Sequence, residues 1–426
     1  MKIKNIVSFL LILSFSFTMS YCTTTKSNPQ LIEDLSAIQK TKNGWFVTLS
    51  GTPINSISIN NDHVFGSTDY GLLHFYPLTN NPAGELLFPI TKERCLNHFV
   101  GSGTDKNGTP ISRYLYIENE SLHSKDLFCT ADKKEVVPKN AGSLSLSPYP
   151  LFAGGTIKHH FDSDVSSQTT ALAAYTDLLF VSKDQTIQHH TLENHVFQSH
   201  LIGSSYYYLS RGVDPPATQF HALKTSTPSK SWSFQPSSNN PAEVLIDASF
   251  SHTLQRFFVC FRYESVDTRT LSIQTFDTEG TELQENVLTG NAEGSLPTSS
   301  VYSFVLNKKV LLIGEFFQKG EIICMDTTDF QEVWRYTDES GDSILDIVTD
   351  PTHQKLFVLL TNGSLVTLDM DNGSLIQADT IGPNLEDIDY STGFIHMFGS
   401  GITGFLNNAI ANPYRSLFFY QSLSSQ

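Results

Sequence analysis

The chain has 426 residues, of which 39% are hydrophobic and 12% aromatic, and it carries 43 acidic against 27 basic residues. This aromatic content, with 30 phenylalanines, excludes a largely disordered chain, because so many large rings need packed partners. The net charge of −16 repels phosphate backbones and anionic headgroups, so nucleic acid and direct electrostatic binding to membranes are not expected.

Residues 1–21 are predicted to form a secretory signal peptide. Lys2 and Lys4 precede an uncharged stretch over residues 6–19, which has the length of a signal h-region and is short for a ~30 Å hydrocarbon core. A retained membrane anchor is the alternative. Removal of residues 1–21 leaves 25 basic against 43 acidic residues, a net charge of −18.

Cys22 is the predicted site of lipid attachment. Met19-Ser20-Tyr21-Cys22 resembles a bacterial lipobox, in which small residues precede a cysteine that is diacylated and becomes the mature N-terminus. Tyr21 stands where Gly, Ala or Ser is usual, and residues 18–20 also form an ordinary small-x-small cleavage site. The resemblance implies an exported protein of the bacterial envelope, an outer-membrane lipoprotein that touches the membrane through its lipid only. A freely secreted protein is the alternative.

Residues 22–42 are predicted to be a tether. The Thr/Ser/Asn-rich segment 23–30 has too few apolar residues to pack, whereas residues 31–38 have the spacing of one short amphipathic helix. No linker divides the chain after that, so residues 43–426 are predicted to be one domain.

A repeated strand-turn-strand unit predicts the fold of that domain. Two apolar alternating runs, 357–360 and 365–368, meet across an Asn-Gly turn and lead into an acidic turn, and the same order recurs upstream. A unit of roughly 40 residues cannot bury both faces of its sheet alone, so this period indicates a propeller or solenoid. The turn residues of these units are Asp277, Gly280, Asp326, Gly363, Asp369 and Gly373.

Counting the strand-like runs predicts an all-β fold, a β-propeller of seven or eight four-stranded blades. Radial repetition leaves only the outermost strand of each blade as an open edge. Trp45 to Leu49 is predicted to supply the strand that closes the ring with the last blade. In this count residues 151–160 and 179–190 belong to two different blades.

The order of strand, acidic turn, glycine and strand, with Trp334 in one unit, resembles the quinoprotein-type (PQQ-like) β-propeller repeat. Residues 361–373 and 321–334 carry the resemblance, which covers residues 270–380 and extends loosely to the rest. It implies the propeller fold, and some members of that superfamily are envelope lipoproteins that scaffold outer-membrane assembly. Its quinone-dependent enzymes have a tryptophan in most blades and often an adjacent cysteine pair. This chain has three tryptophans and no adjacent cysteines, so neither quinone nor another cofactor is expected.

Two His-His pairs come nearest to a metal site. Consecutive strand residues point to opposite faces, so one histidine of each pair could face the central channel, with His160 and His190 as the candidates. Alternatively, the two pairs match only because equivalent strands of a repeat have similar sequences, and no metal binds. No nucleophile elbow, zinc-binding helix or phosphate loop occurs.

Cys95 and Cys129 form the candidate disulfide. They lie 34 residues apart in polar surroundings, and an exported location permits the bond. Cys260 and Cys324 lie in apolar runs and are predicted to be small buried hydrophobes.

These observations predict a non-enzymatic scaffold that binds a protein or peptide partner. Loops at one face of the ring would present a rigid surface, with residues 206–208, three tyrosines, as candidate anchors where they are exposed. The alternatives are a hydrolase or lyase with a metal at the central channel, and a freely secreted adhesin-like protein.

Overall fold

The computed structural model describes most of the chain after residue 37. The described ranges are 38–50, 52–60, 63–75, 84–89, 98–104, 110–129, 136–149, 152, 160–164, 169–182, 186–192, 195–202, 205–211, 218–224, 231–234, 243–251, 254–264, 268–291, 302–306, 309–313, 320–350, 352–382, 390–408 and 415–423. The predicted signal peptide, Cys22 and almost all of the predicted helix lie outside them. None of the helical structure in these ranges is long and apolar enough to cross a membrane.

The described strands form eight antiparallel sheets. The first two strands are β1 (Gln39–Lys40) and β2 (Gly44–Ser50). They belong to the sheet that also contains the last strands of the chain. We call it the closing sheet.

Seven sheets have four strands each, in chain order from one edge to the other, and we number them 1 to 7. Sheet 1 contains β3 (Ile54–Asn60), β4 (His63–Thr68), β5 (Gly71–Phe75) and β6 (Gly84–Pro89). Sheet 2 contains β7 (His98–Thr104), β8 (Pro110–Glu118), β9 (Ser121–Cys129) and β10 (Val136–Ser145). Sheet 3 contains β11 (His160–Asp164), β12 (Thr169–Ala174), β13 (Asp177–Val181) and β14 (Ile187–Thr191). Sheet 4 contains β15 (His195–Ile202), β16 (Ser205–Arg211), β17 (Thr218–Lys224) and β18 (Trp232–Phe234).

The remaining four-stranded sheets follow in the same way. Sheet 5 contains β19 (Glu243–Ser251), β20 (Arg256–Glu264), β21 (Thr268–Asp277) and β22 (Glu282–Asn291). Sheet 6 contains β23 (Tyr302–Leu306), β24 (Lys309–Ile313), β25 (Glu321–Asp326) and β26 (Glu332–Thr337). Sheet 7 contains β27 (Ile344–Asp350), β28 (Lys355–Leu360), β29 (Ser364–Asp369) and β30 (Leu375–Thr380).

The closing sheet joins the two ends of the chain. It adds β31 (Thr392–Phe398), β32 (Gly401–Asn408) and β33 (Arg415–Ser422), in the order β1-β2-β33-β32-β31. β2 pairs with β33 along its full length, which confirms the prediction that residues 45–49 close the ring. β1 lies within the predicted tether but pairs with β2, so the fold begins a few residues before residue 43.

An apolar cluster lies between each sheet and the next, all the way round the ring. In sheet 7, for example, Leu356 and Val358 pack with Ile322 of sheet 6, while Phe357 and Leu359 pack on the closing sheet. The cluster of Val47, Phe75 and Phe418 then joins the closing sheet to sheet 1. The first strands of neighbouring sheets also contact one another, as β3 contacts β7 and β27 contacts β31. The first strands are therefore innermost, and the fold is a β-propeller.

Middle strands are covered on both faces, which explains their continuous apolar runs. Leu356 to Leu360 of β28 are all buried. The three tyrosines at residues 206–208 of β16 are buried for the same reason, so the exposure on which their role as surface anchors depended is not found.

The prediction of four-stranded blades is confirmed for sheets 1 to 7, and the closing sheet has five strands because β1 extends it. One assignment is wrong: His160 and His190, which were expected in two different blades, both lie in sheet 3. The segments around them look like successive repeats, but they are the first and the fourth strands of one sheet.

Candidate functional site

The two candidate metal ligands lie at opposite edges of sheet 3. His160 begins the innermost strand, β11, and His190 lies in the outermost strand, β14. Three strand spacings separate these edges, about 14 Å, which is too far for one ion. The ring of His190 instead packs edge-on against Phe180, and burial lowers the pKa of this imidazole. Within the described ranges, no group of three or more His, Cys, Asp or Glu residues is placed to hold a metal ion.

The candidate disulfide is described at one end only. Cys129 ends β9, where its Sγ donates to the carbonyl oxygen of Asn60 at 3.6 Å. Cys95 lies outside the described residues, so its pairing with Cys129 stays a prediction. Cys260 and Cys324 are buried in apolar clusters, as predicted.

The predicted aspartates close turns between third and fourth strands. Asp277 Oδ1 accepts the backbone N–H groups of Glu279 at 2.9 Å and Thr281 at 2.8 Å. Asp369 Oδ1 does the same for the N–H groups of residues 371 and 372, and Asp326 Oδ1 accepts that of residue 328. These carboxylates therefore bind backbone of their own turns.

Two of the turn glycines lie under tryptophans of the preceding sheet. Gly280 (φ +86°) and Gly373 (φ +73°) have left-handed backbones, and a Cβ at either position would lie 2.5 Å from the ring of Trp232 or Trp334, respectively. At the junction of sheets 5 and 6, two side-chain amides take the place of the tryptophan. Gln284 Nε2 and Asn286 Nδ2 of β22 donate, each at 3.3 Å, to the carbonyl oxygens of residues 328 and 330 in the next turn.

Exposed apolar side chains concentrate on the outermost strands of sheets 5, 6 and 7. Eight large apolar side chains are exposed among the described residues, and five of them lie on β22, β26 and β30. We call these five the outer-strand band: Leu283, Val287, Val333, Leu375 and Ile376. They are 43% to 58% exposed. Exposed apolar side chains on neighbouring sheets of a rigid ring make this a candidate protein-interaction surface.

Three members of the outer-strand band occupy the same structural position. Leu283, Val333 and Ile376 each lie at an irregularity in the pairing of the fourth strand with the third, where the fourth strand has one extra residue. A β-bulge of this kind turns a side chain away from the ladder. Residue alternation in the sequence gives no sign of a bulge, which is why sequence reasoning missed the band.

The acidic residues are concentrated around the same sheets. Residues 277–380 contain 18 acidic and 5 basic residues, a net charge of −13, whereas the whole chain carries −16. Arg335, on β26, is bound to Glu321 and Glu332 through its guanidinium group, at 2.6 and 2.7 Å. The outer-strand band is therefore apolar within a strongly acidic region.

The innermost strands are joined across sheets by polar groups. Ser58 Oγ on β3 lies 2.8 Å from Ser102 Oγ on β7, and Ser56 Oγ accepts the N–H of Val100 at 2.9 Å. Asp346 on β27 has the same role as Ser56, since its Oδ2 accepts the N–H of Ile395 on β31 at 2.8 Å. Burial raises the pKa of Asp346 to about 7.

A cavity of about 430 Å³ opens beside the bulge of β10 in sheet 2. His123 stacks on Tyr116 with ring centroids 4.9 Å apart, and Lys125 Nζ lies 4.3 Å from the centre of the Phe88 ring. Ser124 and residues 140–143 complete the lining. The groups offered are one ammonium, one imidazole and several neutral donors, which suit a polar ligand.

The chain matches no family model and no curated protein sequence. Its fold matches solved structures. Sqt1 from Saccharomyces cerevisiae overlaps with a TM-score of 0.56 at 11% identity, over 88% of this chain and 97% of that chain. The C-terminal WD40 domain of Sif2 overlaps with a TM-score of 0.53 at 9% identity, over the same shares of both chains. BamB from Moraxella catarrhalis overlaps with a TM-score of 0.49 at 11% identity, over 90% of this chain and 100% of that chain.

Identities this low show the fold alone. WD40 repeats form β-propellers, so the overlap with Sif2 agrees with the ring of sheets, and the predicted propeller fold is confirmed. The resemblance to quinoprotein-type repeats stays a prediction.

Proposed function

We propose that this protein is an exported, lipid-anchored β-propeller that works as a non-enzymatic scaffold in the bacterial cell envelope by binding a protein partner. The observation that carries the proposal is the outer-strand band. Five large apolar side chains remain exposed on three successive sheets, although the same sheets bury apolar groups completely in their interiors. Burying the band against a partner would remove this area from water.

The band is held on a rigid support, which favours binding. Trp334 follows Val333 on β26, and its Nε1 donates to the carbonyl oxygen of Met370 in the next sheet at 3.0 Å. On β22 the side chains of Gln284 and Asn286 hold the strand on sheet 6. Side chains on fixed strands lose little freedom on binding, so less of the contact free energy is offset by ordering.

The anchor would act through the N-terminal segment. Sixteen residues separate Cys22 from Gln39 of β1, a length that could span at most about 55 Å when extended. A lipid on Cys22 would thus keep the ring near a membrane without inserting it.

Two measurements on protein made in a lipoprotein-processing bacterium test the proposal. Intact mass and detergent partitioning, compared between wild type and Cys22→Ala, test the anchor: we expect acyl chains and detergent-phase partitioning in the wild type only. A photo-crosslinking residue at Val333 or Ile376 tests the band, with Val137 on β10 as the exposed control. We expect one specific adduct from the band positions and none from the control. Equal crosslinking from all three would contradict a scaffold that acts through the band.

A further inference from the structure

We propose that the outer edge of β22 is a docking edge for an extended segment of a partner protein that carries, on one face, apolar residues alternating with lysine or arginine. This inference rests on the proposed function, because it names the place and the partner chemistry within the outer-strand band. Four observations support it: β22 has one edge that pairs with no described strand, one of its faces is exposed, it lacks the protective residues of β10, and the surrounding region is acidic.

The geometry of β22 suits strand addition. It is the last strand of sheet 5, pairs with β21 on one side, and pairs with no described strand on the other. With ten residues it is as long as any strand of the described fold. An open edge presents a row of backbone N–H and C=O groups that can pair with another chain.

The exposed face of β22 alternates between apolar and acidic or polar side chains. Leu283 and Val287 are 44% and 51% exposed, and Glu285 and Thr289 are also exposed. The intervening residues point the other way, where Gln284 and Asn286 bind the next turn. One face is therefore fixed to the propeller and the other faces outward.

The contrast with β10 shows that an open edge need not accept a partner. β10 also has ten residues and is the outermost strand of its sheet. It carries Pro138, which has no N–H to donate, and Lys139, whose Nζ lies 4.6 Å from the centre of the Phe128 ring. Proline and lysine are common means of protecting edges. β22 contains neither.

The negative charge around β22 favours a basic partner. The net charge of −13 over residues 277–380 would attract a basic segment and repel an acidic one. In a paired strand, apolar residues would lie against Leu283 and Val287, while a lysine or arginine would lie against Glu285. The structure thus fits an extended segment with apolar and basic residues on the same face.

The test uses a labelled peptide of about the length of β22 that repeats valine-threonine-lysine-threonine, so that valine and lysine alternate on one face of the strand. It is added to the full-length protein, and binding is measured by fluorescence anisotropy. We expect saturable binding that weakens as salt is added. A peptide of the same sequence with alternate backbone nitrogens methylated should bind at least about tenfold more weakly, because it cannot pair as a strand. Val287→Lys should also weaken binding of the unmethylated peptide about tenfold, whereas the matched exposed variant Val137→Lys on β10 should not.

Each contrary result overturns the inference. It fails if the wild type does not bind the peptide, if the methylated peptide binds equally well, or if Val137→Lys weakens binding as much as Val287→Lys. Glu285→Lys adds a check on the charge contact: it should narrow the preference for this peptide over one in which glutamate replaces lysine. If these results fail while crosslinking from Val333 and Ile376 remains specific, the docking edge is wrong and the scaffold stands. If the crosslinking fails as well, the scaffold is wrong too.

Discussion

Trp334 and Gly373 are packed so closely that a Cβ on the glycine would lie 2.5 Å from Cε3 of the indole ring. The contact joins β26 of sheet 6 to the turn before β30 of sheet 7. In the same turn, the carbonyl oxygen of Met370 accepts the indole N–H at 3.0 Å. Ring packing and hydrogen bond together hold neighbouring sheets in one relative position.

Gly373→Ala should therefore lower the free energy of unfolding by more than its backbone strain alone. Gly341 provides the matched control, since its φ is +72° against +73° for Gly373 and no heavy atom lies within 4 Å of a Cβ built there. Gly341→Ala should cost about 1–2 kcal/mol from the left-handed backbone, and Gly373→Ala a further ~1–3 kcal/mol from overpacking. Urea unfolding of both variants measures the difference.

A double variant separates the two contributions. With Trp334→Ala already present, Gly373→Ala should cost no more than Gly341→Ala, because the ring that the new Cβ would meet is gone. An unchanged cost in the double variant would show that the ring contact contributes nothing.

The sequence predicted the turns and the closure of the ring but not the connections between sheets. Asn362-Gly363 and the acidic turns are local signals, which depend on neighbouring residues only. The amides of β22 that replace a tryptophan at the junction of sheets 5 and 6 give no such signal. Gln284 and Asn286 are ordinary polar strand residues until the next sheet brings a carbonyl oxygen to each.

The candidate sites were harder to predict than the fold, for a related reason. His160 and His190 share a local pattern, yet only the assignment of strands to sheets decides whether they lie near each other. The outer-strand band depends on bulges, and a one-residue insertion in a strand leaves the composition of that strand unchanged.

Asn407 should be the most sensitive single side chain at the junction of the closing sheet and sheet 1. Its Oδ1 accepts the N–H of Ile54 at 3.1 Å, and its Nδ2 donates to the carbonyl oxygen of the same residue at 2.9 Å. Asn407→Leu keeps the size of this buried side chain but leaves both backbone groups without that partner, at about 1–3 kcal/mol each. Urea unfolding should show a loss of about 2–6 kcal/mol, and a loss below about 0.5 kcal/mol would contradict this role.

Two buried histidines should make the protein less stable in mild acid. Burial lowers the pKa of both His98 and His221 from 6.5 to about 4. The unfolded chain then binds more protons between pH 4 and pH 6.5, so the free energy of unfolding rises with pH across that window and levels off above it. The slope is at most about 1.4 kcal/mol per pH unit for each group.

Unfolding of the double variant His98→Gln, His221→Gln should show a weaker pH dependence than the wild type between pH 4.5 and pH 6.5. His221 Nε2 lies 2.7 Å from Ser210 Oγ, and glutamine can replace that hydrogen bond. His195→Gln, at an exposed side chain of β15, is the control for the effect of a His-to-Gln change as such. A double variant with the slope of the wild type would exclude these two imidazoles as its source.

Asp346 should give the free energy of unfolding a pH dependence opposite to that of the two histidines. Burial raises the pKa of its carboxyl group from 3.8 to about 7, so the folded protein binds more protons than the unfolded chain between these values. Its contribution to the free energy of unfolding therefore falls as the pH rises from about 4 to about 7. Above about pH 7 the full destabilisation by the buried carboxylate is present.

Asp346→Asn removes the charge, and the amide oxygen can still accept the N–H of Ile395. The variant should equal the wild type in stability near pH 4 and exceed it at pH 8, as measured by urea unfolding at both values. A difference that is the same at both pH values would mean that the charge of Asp346 does not limit the stability of this junction.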